Sequence, residues 1–266
     1  MGTALRRNGR IRIVVAFFSF FVFTILLSYG AYFLGGLQKT QQSSVAREHP
    51  TITQNALGPQ VNESAGRHSP NKRSQLIGMA TKAADDIDAA AETLFREIEP
   101  PSIPKGNDLG AASRDELETL RRALETAADT AATIMPRYLA LLKSERDSVE
   151  NYARSLNAEK DFITKLLEAI DTRQAELAGM TSQLLTARAD FYRTYETYVA
   201  LLVGEFGSYK VVNGQFIFPN QRTVDRYNIA AHAMAVAAKH VAELEQERRR
   251  LLQLKQEQWR QFVQNN

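Results

Sequence analysis

The chain has no cysteine. That excludes disulfides, thiolate metal sites, a cysteine nucleophile and the lipidated cysteine that anchors bacterial lipoproteins. Any folded part must hold itself together by burying apolar side chains. Catalytic motifs are missing too: no Gly-rich phosphate loop, nucleophile elbow or zinc motif occurs, and the serines, histidines and acids form no triad by spacing. Of the four histidines, His49 and His68 stand 19 residues apart in a polar segment, and His232 and His240 stand eight apart on a helical pattern. No acidic residue fills the nearer turns until Glu243, so neither pair has the ligands of a metal site. The sequence therefore names no catalytic, cofactor-binding or metal residue, and it reads as a non-enzymatic protein.

A dominant charge of one sign is also lacking. The formal net charge is +3, but Arg6, Arg7, Arg10 and Arg12 come first, and without them 29 basic residues face 30 acidic ones. The alkaline isoelectric point thus belongs to the first twelve residues, and no nucleic-acid surface is implied.

What is present begins with Ile13 to Leu34, IVVAFFSFFVFTILLSYGAYFL, 22 residues without a charge. At ~1.5 Å per residue they span about 33 Å, the thickness of a bilayer hydrocarbon core. Residues 13–37 read as a transmembrane helix and 1–12 as a cytoplasmic basic tail, because the positive-inside rule keeps the arginine side in the cytoplasm. The expectation is a single-pass protein of the bacterial inner membrane with its C-terminal domain in the periplasm. A signal peptide cleaved after Gly30 is the competing reading, since Ser28 and Gly30 are small residues at cleavage-site spacing. Against it, the apolar run continues through Leu34, beyond the usual ~7 to 15 residue core.

Residues 38–74 are rich in Gln, Ser, Thr, Asn, Pro and Gly and read as a flexible linker; 75–266 should form the exported domain. There, Leu76, Ala80, Ala83, Ile87, Ala90, Leu94 and Ile98 recur at helical spacing, and Pro100, Pro101 and Pro104 end the pattern. Asp85, Asp86 and Asp88 fall near the expected helix start, where their charge suits the dipole. Ser113 and Glu116 form a capping-box signature. The stripe Leu117, Leu120, Leu124, Ala127, Ala131, Ile134, Tyr138 and Leu141 follows, with Pro136 inside it. A further stripe runs from Val149 to Leu201, with Arg173 and Thr194 in register, positions that lower stability and fix pairing. A break is required, at Pro136 or near Asn157, where the asparagine would cap the next helix. The last helix starts around Asn220 to Thr223. The helices so divided are similar in length, as an up-down-up antiparallel bundle requires. The fold class is all-α: one transmembrane helix, then an elongated antiparallel helical bundle or coiled coil. The same periodicity fits a homo-oligomer.

The one strand signal is YKVVNGQFIF, residues 209–218, where Asn213-Gly214 marks a β-hairpin with a type I′ turn. A lone hairpin is marginal in water, so its aromatics either pack on the helices or form a docking tip. Around it, Val212-Asn213-Gly214 through Phe218-Pro219, followed by Tyr227-Asn228, is similar to the YiaF-like family of bacterial membrane-anchored envelope proteins, a domain of unknown function. The similarity covers about residues 204–240. It implies a mostly helical, membrane-tethered envelope domain without catalytic residues to carry over; members are typically lipoproteins, and this chain has a helix in place of the lipidated cysteine. The candidate interaction residues are Tyr209, Asn213, Gly214, Phe216, Phe218, Pro219, Tyr227 and Asn228. The expected function is a membrane-tethered interaction or scaffold protein whose partners are the lipid bilayer and another envelope protein. The alternative is a lipid or apolar-ligand module with a groove lined by Phe191, Tyr195, Tyr198 and Phe206.

Overall fold

The computed structural model describes residues 69–101 and 109–265. The expected transmembrane helix, most of the linker, His49 and His68 lie outside them. Among the described residues no helix is long and apolar enough to cross a membrane. The described residues form five helices and one hairpin: α1 (Ser69–Arg96), α2 (Arg114–Thr133), α3 (Met135–Ser155), α4 (Lys160–Gly204), β1 (Lys210–Val212), β2 (Gln215–Ile217) and α5 (Gln221–Asn265).

The helix α1 starts earlier than the linker boundary placed at 74. Its first turns are tied down by Lys72 Nζ, which donates to the Asn157 carbonyl at 3.4 Å. Arg73 pairs with Glu159 and lies over the Phe162 ring at 5.3 Å. The early start moves Asp85, Asp86 and Asp88 several turns into the helix, so the dipole argument for them fails. Asp88 instead reaches Arg173, 3.5 Å away.

The capping box at α2 forms as its sequence dictates: Ser113 Oγ accepts from the Glu116 amide, and the Ser113 amide donates to the Glu116 carboxylate at 2.7 Å. Pro136 has no N–H to give the Ala132 carbonyl, so the helix is interrupted at Ile134. Ile134 keeps helical angles, φ −79 and ψ −20. The apolar stripe therefore holds its phase through the interruption, with Leu124, Ala131, Ile134 and Tyr138 all buried. The chain reverses after α3, and here the expected cap is corrected. Asn157 ends α3 rather than starting α4. It adopts φ 46, and the amides of Ala158 and Asn157 donate back to the carbonyls of Ala153 and Arg154 at 3.4 and 3.1 Å. This is the Schellman closure, in which asparagine substitutes for the usual glycine. Glu159 occupies the N-cap of α4 without a side-chain cap bond.

The core clusters give the order along the rod. At one end Leu76, Val149, Ala153, Phe162 and Leu166 pack with Trp259 and Phe262. Next come Leu94, Ile98, Ile134, Tyr138, Leu185 and Ala189, beside Met180, Leu184, Val241 and Leu244. At the far end Leu117, Leu120 and Leu124 meet Tyr198, Val199, Leu202, Phe216, Phe218 and Met234. The pair α2–α3 thus runs antiparallel to α4, α5 runs back along α4, and α1 lies antiparallel on α3. Four helices surround the core where α1 is present; three and the hairpin close it beyond Ile98. The helix α4 packs against α2, α3 and α5. Its 45 residues make it about 68 Å long.

Candidate interaction site at the hairpin end

The end of the rod is built by the turn out of α4 and the start of α5. Gly207 takes φ 82, a conformation glycine adopts without cost. The Glu205 carboxylate accepts from Ser208 Oγ at 3.1 Å and Thr223 Oγ1 at 3.3 Å, with Arg226 at 3.9 Å, and so ties the two helices together. Asn220 Oδ1 accepts the Thr223 amide at 2.9 Å, the bond of a helix N-cap.

Between these ties stands the hairpin. The strands pair antiparallel with Lys210 opposite Ile217, Val211 opposite Phe216 and Val212 opposite Gln215. Asn213 at φ 53 and Gly214 at φ 74 make the expected two-residue turn. Because side chains alternate along a strand, the register sorts them into two faces. Tyr209, Val211, Phe216 and Phe218 share one; Lys210, Val212, Gln215 and Ile217 share the other.

The aromatic residues of the first face pack inward, while Val211 is 37 % exposed. Phe216 and Phe218 are buried, their ring centroids lie 5.7 and 5.1 Å from Tyr227, and Tyr209 meets both rings edge-on at 5.1 and 5.7 Å. Tyr227 continues the stack to Tyr198 at 5.4 Å, where the two hydroxyls are 3.1 Å apart. Burial holds the Tyr198 phenol well above its usual range and also raises Tyr227, so both are neutral hydrogen-bonding groups. Of the candidate residues, Phe216, Phe218 and Tyr227 therefore hold the hairpin in place, with Tyr209 half-buried among them. Asn213, Gly214, Pro219 and Asn228 are exposed. The second face was missed: Val212 is 47 % exposed and Ile217 52 %, and Phe206 at the base is 43 % exposed. The alternation of the strands carried that signal, since Val212 and Ile217 have the opposite parity to the aromatics on their own strands.

Of the residues expected to line a groove, Phe191, Tyr195 and Tyr198 stand on α4, with Tyr195 and Tyr198 buried, while Phe206 beyond its end is exposed. The centroids of Phe191, Tyr195 and Tyr198 follow one another at 5.9 and 6.3 Å. Burial raises the Tyr192 phenol to about 12 and pushes Tyr195 higher. A shallow depression of about 270 Å³ lies on the outer side of α4 and α5, lined by Ser182, Gln183, Thr186, Asp190 and His240 above Ala187 and Leu244. Among the described residues no group of three or more His, Asp or Glu is placed to hold a metal, and His232 and His240 are exposed.

The buried polar groups join helices. Glu145 is 3 % exposed and accepts from Arg173 at 3.2 Å and from Gln174 at 2.9 Å. Arg188 joins Glu245 at 2.7 Å, and Lys255 joins Glu176 at 2.7 Å. Trp259 Nε1 donates to Thr81 Oγ1 at 3.0 Å. Each contact needs one longitudinal alignment of its two helices, the pairing role anticipated for Arg173. Thr194 turns its hydroxyl back to the Phe191 carbonyl at 2.9 Å instead. No family model, curated protein or solved structure matches the chain.

Proposed function

We propose that this chain is a membrane-tethered, non-enzymatic interaction protein of the bacterial envelope, which binds another envelope protein through the outward face of its hairpin. The observation that carries the reading is the two-sidedness of residues 209–218. One face is fixed by an aromatic stack, while the other offers Val212 and Ile217 to water; Phe206, edge-on to Tyr209 at 6.2 Å, is exposed as well. A rigidly backed apolar patch at the end of a rod suits a docking surface, because little freedom is lost when it binds. The patch also lies at the opposite end from the first turn of α1. The apolar run Ile13 to Leu34 and the four arginines before it support attachment to the inner membrane with this domain in the periplasm. The similarity around residues 204–240 to the YiaF-like envelope proteins points the same way.

Photo-crosslinking residues placed at Lys210 and Gln215, which share the outward face, test the reading in cells. They should capture one envelope protein in preference to positions on the outer faces of α2 and α3. Equal or stronger capture from the helix positions would remove the hairpin from the interface.

A further inference from the structure

The outward side of α5 carries apolar residues that its own bundle leaves uncovered. Ile229 is 71 % exposed, Val236 55 % and Leu254 53 %. They lie on one line with Ala233, His240, Glu243, Glu247 and Arg250, all exposed, at alternating steps of four and three. That is the spacing of a two-helix coiled-coil seam. It extends over about 38 Å of helix.

We propose that this seam joins two copies of the chain, paired antiparallel about a two-fold axis between His240 and Glu243. The order of side chains along the seam selects the orientation. In a parallel pair every position faces itself, so Glu243 and Glu247 would oppose identical carboxylates and Arg250 its own guanidinium. In the antiparallel pair the positions sum to a constant. Ile229 then faces Leu254 of the second copy, and Ala233 leaves room for the long side chain of Arg250. Val236 lies against the methylene stem of Glu247, and the His240 imidazole has the Glu243 carboxylate as its hydrogen-bond acceptor. Apolar pairs thus close both ends and a polar pair sits on each side of the axis. The contact is isologous and ends at two copies. With the chains anchored as proposed above, an axis normal to the membrane would bring both tethers to one surface. The pairing itself does not depend on that anchoring or on the hairpin.

The absence of native cysteine makes the test direct. Full-length Ile229→Cys and Leu254→Cys chains, expressed separately and together and solubilised in detergent, are treated with a short bismaleimide and run on a denaturing gel. Both positions are exposed, and unchanged circular dichroism confirms that the variants fold. Co-expressed chains should give a band of doubled mass that neither variant gives alone. Absence of that band from the mixture, or equal crosslinking by either variant alone, would overturn the pairing. Adding Glu243→Lys to both chains should cut the yield several-fold, and adding His240→Glu as well should restore it. Failure to restore it would overturn the register.

Discussion

A carboxylate taken out of water is penalised in its charged form, and Glu145 is the most buried acid named in the core. Burial raises its pKa above the ordinary 4.5, and the hydrogen bond from Gln174 and the charge of Arg173 offset the shift only in part. The folded state therefore binds this proton more tightly than the unfolded chain. The contribution is fully present below about pH 4.5 and is lost as pH rises through the higher folded value. Urea unfolding at pH 7 and pH 4.5 should accordingly show that Glu145→Gln removes a stabilising contribution that the native chain gains on acidification. An equal gain in the variant would place the titration elsewhere. Glu97 and Glu116 act in the opposite sense: the hydrogen bond from Arg137 lowers the first and those from Ser113 lower the second. Their contributions are present above about pH 4.5 and lost below it, so the two windows are separable.

At the scale of the element, helix ends carry most of the information about direction. The capping box of α2 and the Asn-Gly turn are local chemistry, complete within four residues, and both form where their residues stand. Asn157 is local as well, but asparagine serves both as an N-cap acceptor and as a left-handed terminator. Only the position of the following chain selects between the two. Asn157→Ala keeps the β-carbon in the left-handed region but loses the polar side chain that makes asparagine tolerant of it, at a cost of about 1 kcal/mol, whereas Asn157→Gly removes the β-carbon. Thermal unfolding should show a lower midpoint for alanine and an equal or higher one for glycine. A lower midpoint for both variants would show that the side chain, and not the backbone angle, holds the turn.

For the molecule as a whole, α4 is the common partner: it touches α2, α3 and α5 and contributes residues to all four clusters. Opening any of its amides requires separating neighbours, while α1 and the last turns of α5 lie at the margin. Hydrogen exchange should therefore be slowest in the middle of α4, near Leu177 to Val199, and faster in α1 and beyond Phe262. Uniform protection along the rod would contradict this ranking. The single tryptophan, Trp259, bonds to Thr81 of α1. Its emission should follow the undocking of that helix.

The sequence alone determined the helical class, the stripe from Leu117 to Leu141 and the hairpin with its turn, because periodicity, capping and turn chemistry act over a few residues. It also showed which residues the hairpin uses, without saying which of them face water. Tertiary structure decided that: Phe216 and Phe218 face inward because Tyr198 and Tyr227 present a wall of rings on α4 and α5, and Val212 and Ile217 turn outward as a consequence. It likewise decided the fate of Asp88, which α1 delivers to Arg173 once the helix is extended by its contacts with the α3–α4 turn. Such pairings join residues far apart in the chain. No local pattern specifies them, because burial and charge are satisfied only when distant helices come together.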